Sequence, residues 1–182
     1  YMKKYLFLLL ICFKLSASEW DCENCYDYGF KYGLTYSNVD FNQAKTSYFP
    51  GVSAGFVLVT YINSVFSFQA EFFFNNTNYK IDELTKKDNE TYSYNMLEEN
   101  EVYYSFDVNI PLSLNLRLSS NIRVFIGGFF EAYLLNRLYD SYSGFFPIDI
   151  GYLAGFSINT SKYLIDFRFV KGTAVYTSAN CS

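Results

Sequence analysis

Between residues 102 and 118 the chain alternates with a period of two. Val102, Tyr104, Phe106, Val108, Ile110, Leu112, Leu114, Leu116 and Leu118 occupy the even positions. The odd positions carry Tyr103, Ser105, Asp107, Asn109, Pro111, Ser113, Asn115 and Arg117. A strand sends successive side chains to opposite faces, whereas a helix would scatter these residues around its circumference. The pattern therefore predicts a strand with one apolar and one polar face. The same rule predicts six more strands, at 28–37, 51–61, 64–75, 122–134, 148–159 and 163–172. In 64–75, for example, Phe66, Phe68, Ala70, Phe72 and Phe74 oppose Ser67, Gln69 and Glu71.

The connections alternate in length. Residues 38–50, 76–101 and 135–147 are long and polar, while 62–63, 119–121 and 160–162 are tight. Up-and-down strands with long loops at one end and short turns at the other predict an all-β, antiparallel transmembrane β-barrel. Seven strands are visible, and an odd count leaves two edges of unpaired backbone in lipid, so a further strand is expected to close the ring. Either the barrel domain, 28–182, is truncated at its end, the preferred reading, or the tail from Thr173 to Ser182 supplies a poor last strand, or an unseen element closes the barrel.

Two closed barrels fit alternating strands, and they differ in which face looks out. A lipocalin-like secreted barrel holds its apolar face inward around a small ligand. A membrane barrel puts that face in lipid and fills its centre with polar side chains. Seven bulky apolar rows would overfill a small barrel, and the opposite rows are rich in Gly, Ser and Asn, which favours the membrane orientation. The inward rows then hold charges of both signs. Lys31, Arg117, Arg123 and Arg168 are expected to pair with Glu71, Asp107, Glu131 and Asp166 in an interior network. Tyr28, Tyr36, Tyr61, Tyr103, Tyr104, Tyr133, Tyr152 and Tyr163 lie mostly near strand ends, where a ring suits the headgroup level.

The first residues read differently. Lys3 and Lys4 precede an apolar run from Tyr5 to Phe13, followed by Lys14 and Ser16-Ala17-Ser18. That is the form of a secretory leader, 1–18, cut after Ser18; nine apolar residues are too few for a helical span. Residues 19–27 then form a short periplasmic segment with Cys22 and Cys25 in a C-x-x-C. With no strand before it and no further ligands, the motif reads as a small disulfide or two idle thiols.

Composition narrows the chemistry. Aromatic residues make up 22% of the 182, yet mean hydropathy is only +0.01, as alternation requires. Histidine is absent, which removes His-based triads and His-ligated metals. Net charge is −4, so nothing points to nucleic acid. No catalytic residue, cofactor or metal is expected. A carboxylate pair such as Glu71 and Asp107 is better explained by the interior network.

Six segments are distinctive in their order and spacing: Gly29-Phe30-Lys31-Tyr32-Gly33-Leu34-Thr35-Tyr36-Ser37, Pro50-Gly51-Val52-Ser53-Ala54-Gly55-Phe56, Phe66-Ser67-Phe68-Gln69-Ala70-Glu71-Phe72, Val108-Asn109-Ile110-Pro111-Leu112, Gly127-Gly128-Phe129-Phe130 and Asp149-Ile150-Gly151-Tyr152-Leu153-Ala154-Gly155-Phe156. In these the chain resembles the PorT-like outer-membrane β-barrel family common in Bacteroidetes. The resemblance implies eight strands, the last of them following the seventh, and no particular activity. The expected role is structural or interactive: a monomer in outer-membrane lipid, its loop 76–101 open to a protein or surface ligand.

Overall fold

The computed structural model describes residues 3–14, 26–40, 44–84, 101–136, 148–160 and 163–173. Eight antiparallel strands form one closed ring in chain order. They are β1 (Lys3–Lys14), β2 (Tyr26–Asp40), β3 (Ala44–Tyr61), β4 (Phe66–Leu84), β5 (Val102–Arg117), β6 (Ile122–Asn136), β7 (Ile148–Asn159) and β8 (Tyr163–Gly172). The all-β, up-and-down reading holds, and the seven alternating segments are β2 to β8.

The closure differs from expectation. The stave between β8 and β2 is β1, formed by the residues that read as a leader, and not a strand after residue 172. It pairs from Lys3↔Asp40 to Lys14↔Gly29 on one side and from Tyr5↔Lys171 to Phe13↔Tyr163 on the other. The nine apolar residues from Tyr5 to Phe13 suit a leader and equally suit a strand crossing of the hydrocarbon layer. Because Leu6 to Phe13 is apolar at odd and even positions alike, alternation gives β1 no signal. Ser18, Cys22 and Cys25 lie outside the described residues.

Two loops are shorter than expected. β2 continues to Asp40 and β3 starts at Ala44, so most of 38–50 is strand. β4 runs on to Leu84, taking 76–84 out of the 76–101 loop. Backbone pairing explains both. Ala44↔Leu84 to Tyr48↔Tyr79 extends the β3–β4 ladder past a bulge, and Lys80↔Val102 ends the β4–β5 ladder. At the other end the connections are tight: 62–65 joins β3 to β4, two residues longer than expected because β4 begins at Phe66, and 118–121 joins β5 to β6, while 161–162 lie outside the described residues.

Outside and inside have opposite polarity. Leu34, Phe56, Phe74, Phe106, Leu112, Leu114, Ile126 and Ile150 are among the exposed side chains. Lys31, Glu71, Asp107, Asn115, Glu131, Asp149, Asp166 and Arg168 are buried in the interior. From Tyr79 on the relation reverses. On the β4 extension Tyr79 and Ile81 are buried, with Tyr79 stacked on Tyr103 at 5.7 Å, while Lys80 and Asp82 are about a third exposed.

Glycine makes room for the interior aromatics. A Cβ on Gly155 would strike the Phe125 ring and one on Gly151 would strike Phe129. Phe125 and Phe129 join Leu10, Phe73, Leu153 and Val170 in an apolar layer of the lumen, and Val57, Val59, Tyr61 and Leu164 form a second buried apolar cluster.

Candidate functional site

Four charged side chains from three strands meet inside the ring. Lys31 comes from β2, Glu71 from β4, and Asp166 and Arg168 from β8, where residues two apart share a face. Lys31 Nζ donates to Glu71 Oε1 and to Asp166 Oδ2, each at 2.5 Å. Arg168 grips Glu71 bidentately, Nη1 to Oε2 at 2.5 Å and Nη2 to Oε1 at 3.1 Å, and reaches Asp166 Oδ2 at 3.3 Å. Gln69 Nε2 donates to the same Glu71 oxygen at 2.8 Å. The Arg168 guanidinium lies 5.2 Å from the centre of the Phe125 ring, within cation–π range.

All four charges are at most 1% exposed at the side chain. Two cations and two anions cancel, so the cluster carries no net charge into the low-dielectric interior. Its hydrogen bonds offset part of the desolvation cost, as such a buried group requires. The cluster also has a topological role. β2 and β8 flank β1, so the Lys31–Asp166 bond ties those two strands together across it.

The other expected network members lie elsewhere. Asp107 accepts from Asn75 Nδ2 at 2.6 Å and Thr77 Oγ1 at 2.9 Å, in a polar layer nearer the long connections. Glu131 is fully buried and accepts from Asn109 Nδ2 at 3.4 Å. Arg123 is buried at the tight-turn end, within electrostatic reach of Tyr61. Arg117 is only partly buried, and its Nε donates to the Ser119 carbonyl at 3.3 Å. The Glu71–Asp107 carboxylate pair is therefore not assembled, since each belongs to a separate cluster.

Two interior acids escaped the sequence reading. Asp27 is buried and accepts from Tyr61 Oη at 2.8 Å. It shares parity with Lys31, so carrying the alternation one residue upstream of 28 finds it. Asp149, 1% exposed, accepts the Thr173 amide at 3.0 Å. It stood in the inward row of its strand, but no basic residue nearby in sequence drew attention to it.

The Tyr61–Asp27 bond offers a local test. Tyr61→Phe should destabilise the barrel by about 1.5–3 kcal/mol, the usual worth of a hydrogen bond to a charged group. Urea titration of the detergent-folded protein reads the change; no shift in midpoint would show the bond to be energetically silent.

Among the described residues, no group of three His, Cys, Asp or Glu is placed to hold a metal ion. Salt bridges, amides and hydroxyls share the lumen with buried apolar clusters, an arrangement suited to stiffening a wall. No protein-family model and no curated protein matches the chain.

Proposed function

We propose that this chain is a small outer-membrane β-barrel of the PorT-like kind, with a filled, charge-paired interior. Its role is structural or interactive, through the connections at the end away from the tight turns, and it performs no catalysis. The observation that carries the reading is the inverted polarity of the wall, apolar outside and polar inside, together with its reversal on the β4 extension. A soluble barrel would need the opposite arrangement, with lysine and glutamate facing water along the whole wall.

The dimensions agree. Tyr26 and Tyr36 are half-exposed or more on the outer face of β2, ten residues apart. At a rise of about 3.3 Å per residue and a tilt near 40°, they are separated by about 25 Å along the barrel axis. That is about the height of the apolar band between the aromatic girdles of an outer-membrane barrel. Near the long-connection end, Tyr36 stacks on Tyr48 at 5.6 Å, and Tyr104 and Tyr152 are half-exposed.

Cell fractionation tests the proposal. The protein should be recovered with outer membrane, need detergent for extraction, and migrate faster on an unboiled gel than after boiling. A freely soluble periplasmic product would overturn it. The mass of the chain recovered from that fraction also reports how the cell uses residues 3–14, as leader or as strand.

A further inference from the structure

The apolar layer of Leu10, Phe73, Phe125, Phe129, Leu153 and Val170 contains a cavity of about 10 Å³. Phe73, Pro111, Phe129, Leu153 and Val170 line it together with three polar residues, Asn75, Asn109 and Arg168. All three are at least 95% buried. Asn75 accepts from Ser53 and donates to Asp107. The other two each have one polar atom with no hydrogen-bond partner: Asn109 Oδ1, an acceptor, and Arg168 Nε, a donor. Their other atoms are committed. Asn109 Nδ2 donates to Glu131 Oε2, which fixes the amide orientation, and both terminal nitrogens of Arg168 serve Glu71 and Asp166.

A cavity of this size holds about one water, and a buried water needs at least two polar partners. An anion placed there would meet the Asn109 carbonyl oxygen, and a cation would meet the guanidinium. A molecule that accepts at one atom and donates at another satisfies both. We propose that the cavity is a specific water site, in which one water accepts from Arg168 Nε and donates to Asn109 Oδ1. The bridge joins the two polar layers through the apolar one, in the order Glu71, Arg168, water, Asn109, Glu131. The bridge links the Glu71–Arg168 cluster to the Asn109–Glu131 pair in one hydrogen-bonded strut.

Oxygen-17 magnetic relaxation dispersion of the detergent-folded full chain counts waters held long enough to tumble with the protein. Asn109→Leu removes the acceptor and fills the space, so the variant should show one such water fewer than the parent. An equal count in a variant that keeps its gel shift overturns the site. Should the variant fail to fold, a high-resolution crystal structure of the parent decides. A single ordered oxygen within hydrogen-bond distance of both Arg168 Nε and Asn109 Oδ1 supports the proposal. An empty cavity, or an anion with anomalous signal, overturns it.

Discussion

Glu71→Leu should destabilise the folded barrel by about 3–5 kcal/mol, the usual cost of breaking a buried ion pair from one side. Glu71 accepts from Lys31, Arg168 and Gln69, so its loss leaves two buried cations facing Asp166 alone. The uncompensated charge, more than the lost attraction, sets the magnitude. Replacing all four members together, Lys31→Met with Glu71→Leu, Asp166→Leu and Arg168→Met, should therefore cost less than the single change. Apolar residues of similar volume often replace a buried ionic cluster at no net cost. Urea titration in detergent micelles, scored by the fraction of unshifted gel band, measures both. If the quadruple variant is the less stable of the two, the cluster stabilises the barrel in its own right and the desolvation argument fails.

The same cluster shows where sequence reading stops. Parity alone places Lys31, Glu71, Asp107, Arg123, Glu131, Asp166 and Arg168 on inward rows, and all are buried. Parity does not pair them, because Lys31 and Asp166 are 135 positions apart and meet only when the ring closes. Nor does it give height in the barrel, which separates Asp107 from Glu71. β1 failed to register for a related reason. A strand is recognised by the contrast between its two faces, and Leu6 to Phe13 has none. Its inward Leu10 is nevertheless fully buried, packed in the apolar layer with Phe73 and Phe125. The β4 extension is illegible because its polarity changes part-way along. Thr77 and Asn78 are both polar and buried, and past them Tyr79 and Ile81 lie inward while Lys80 and Asp82, about a third exposed, take the other row, as in a strand standing in water.

The reversal leads to the second large effect. Leu112→Arg should cost about 2–4 kcal/mol of barrel stability in lipid vesicles, the range for arginine at the bilayer midplane of such a wall. Leu112 is 46% exposed, central in β5, and flanked by Ala70 on β4 and Gly128 on β6. Asp82→Arg introduces the same side chain on the β4 extension and breaks the 3.9 Å contact with Lys80 and the 3.2 Å hydrogen bond from Ser47 Oγ, so it should cost about 1–1.5 kcal/mol, less than the change at Leu112. Were the wall bathed in water, Leu112→Arg would be the smaller of the two, since exposed positions away from special features rarely move stability by more than about 0.5 kcal/mol. A series along one outward row, with arginine placed in turn at Phe106, Ile110, Leu112 and Leu114, turns the comparison into a depth profile. Reversible urea unfolding from vesicles gives each value. A maximum near the middle of the row locates the hydrocarbon midplane on this barrel, whereas a flat profile would place the apolar wall against something other than lipid.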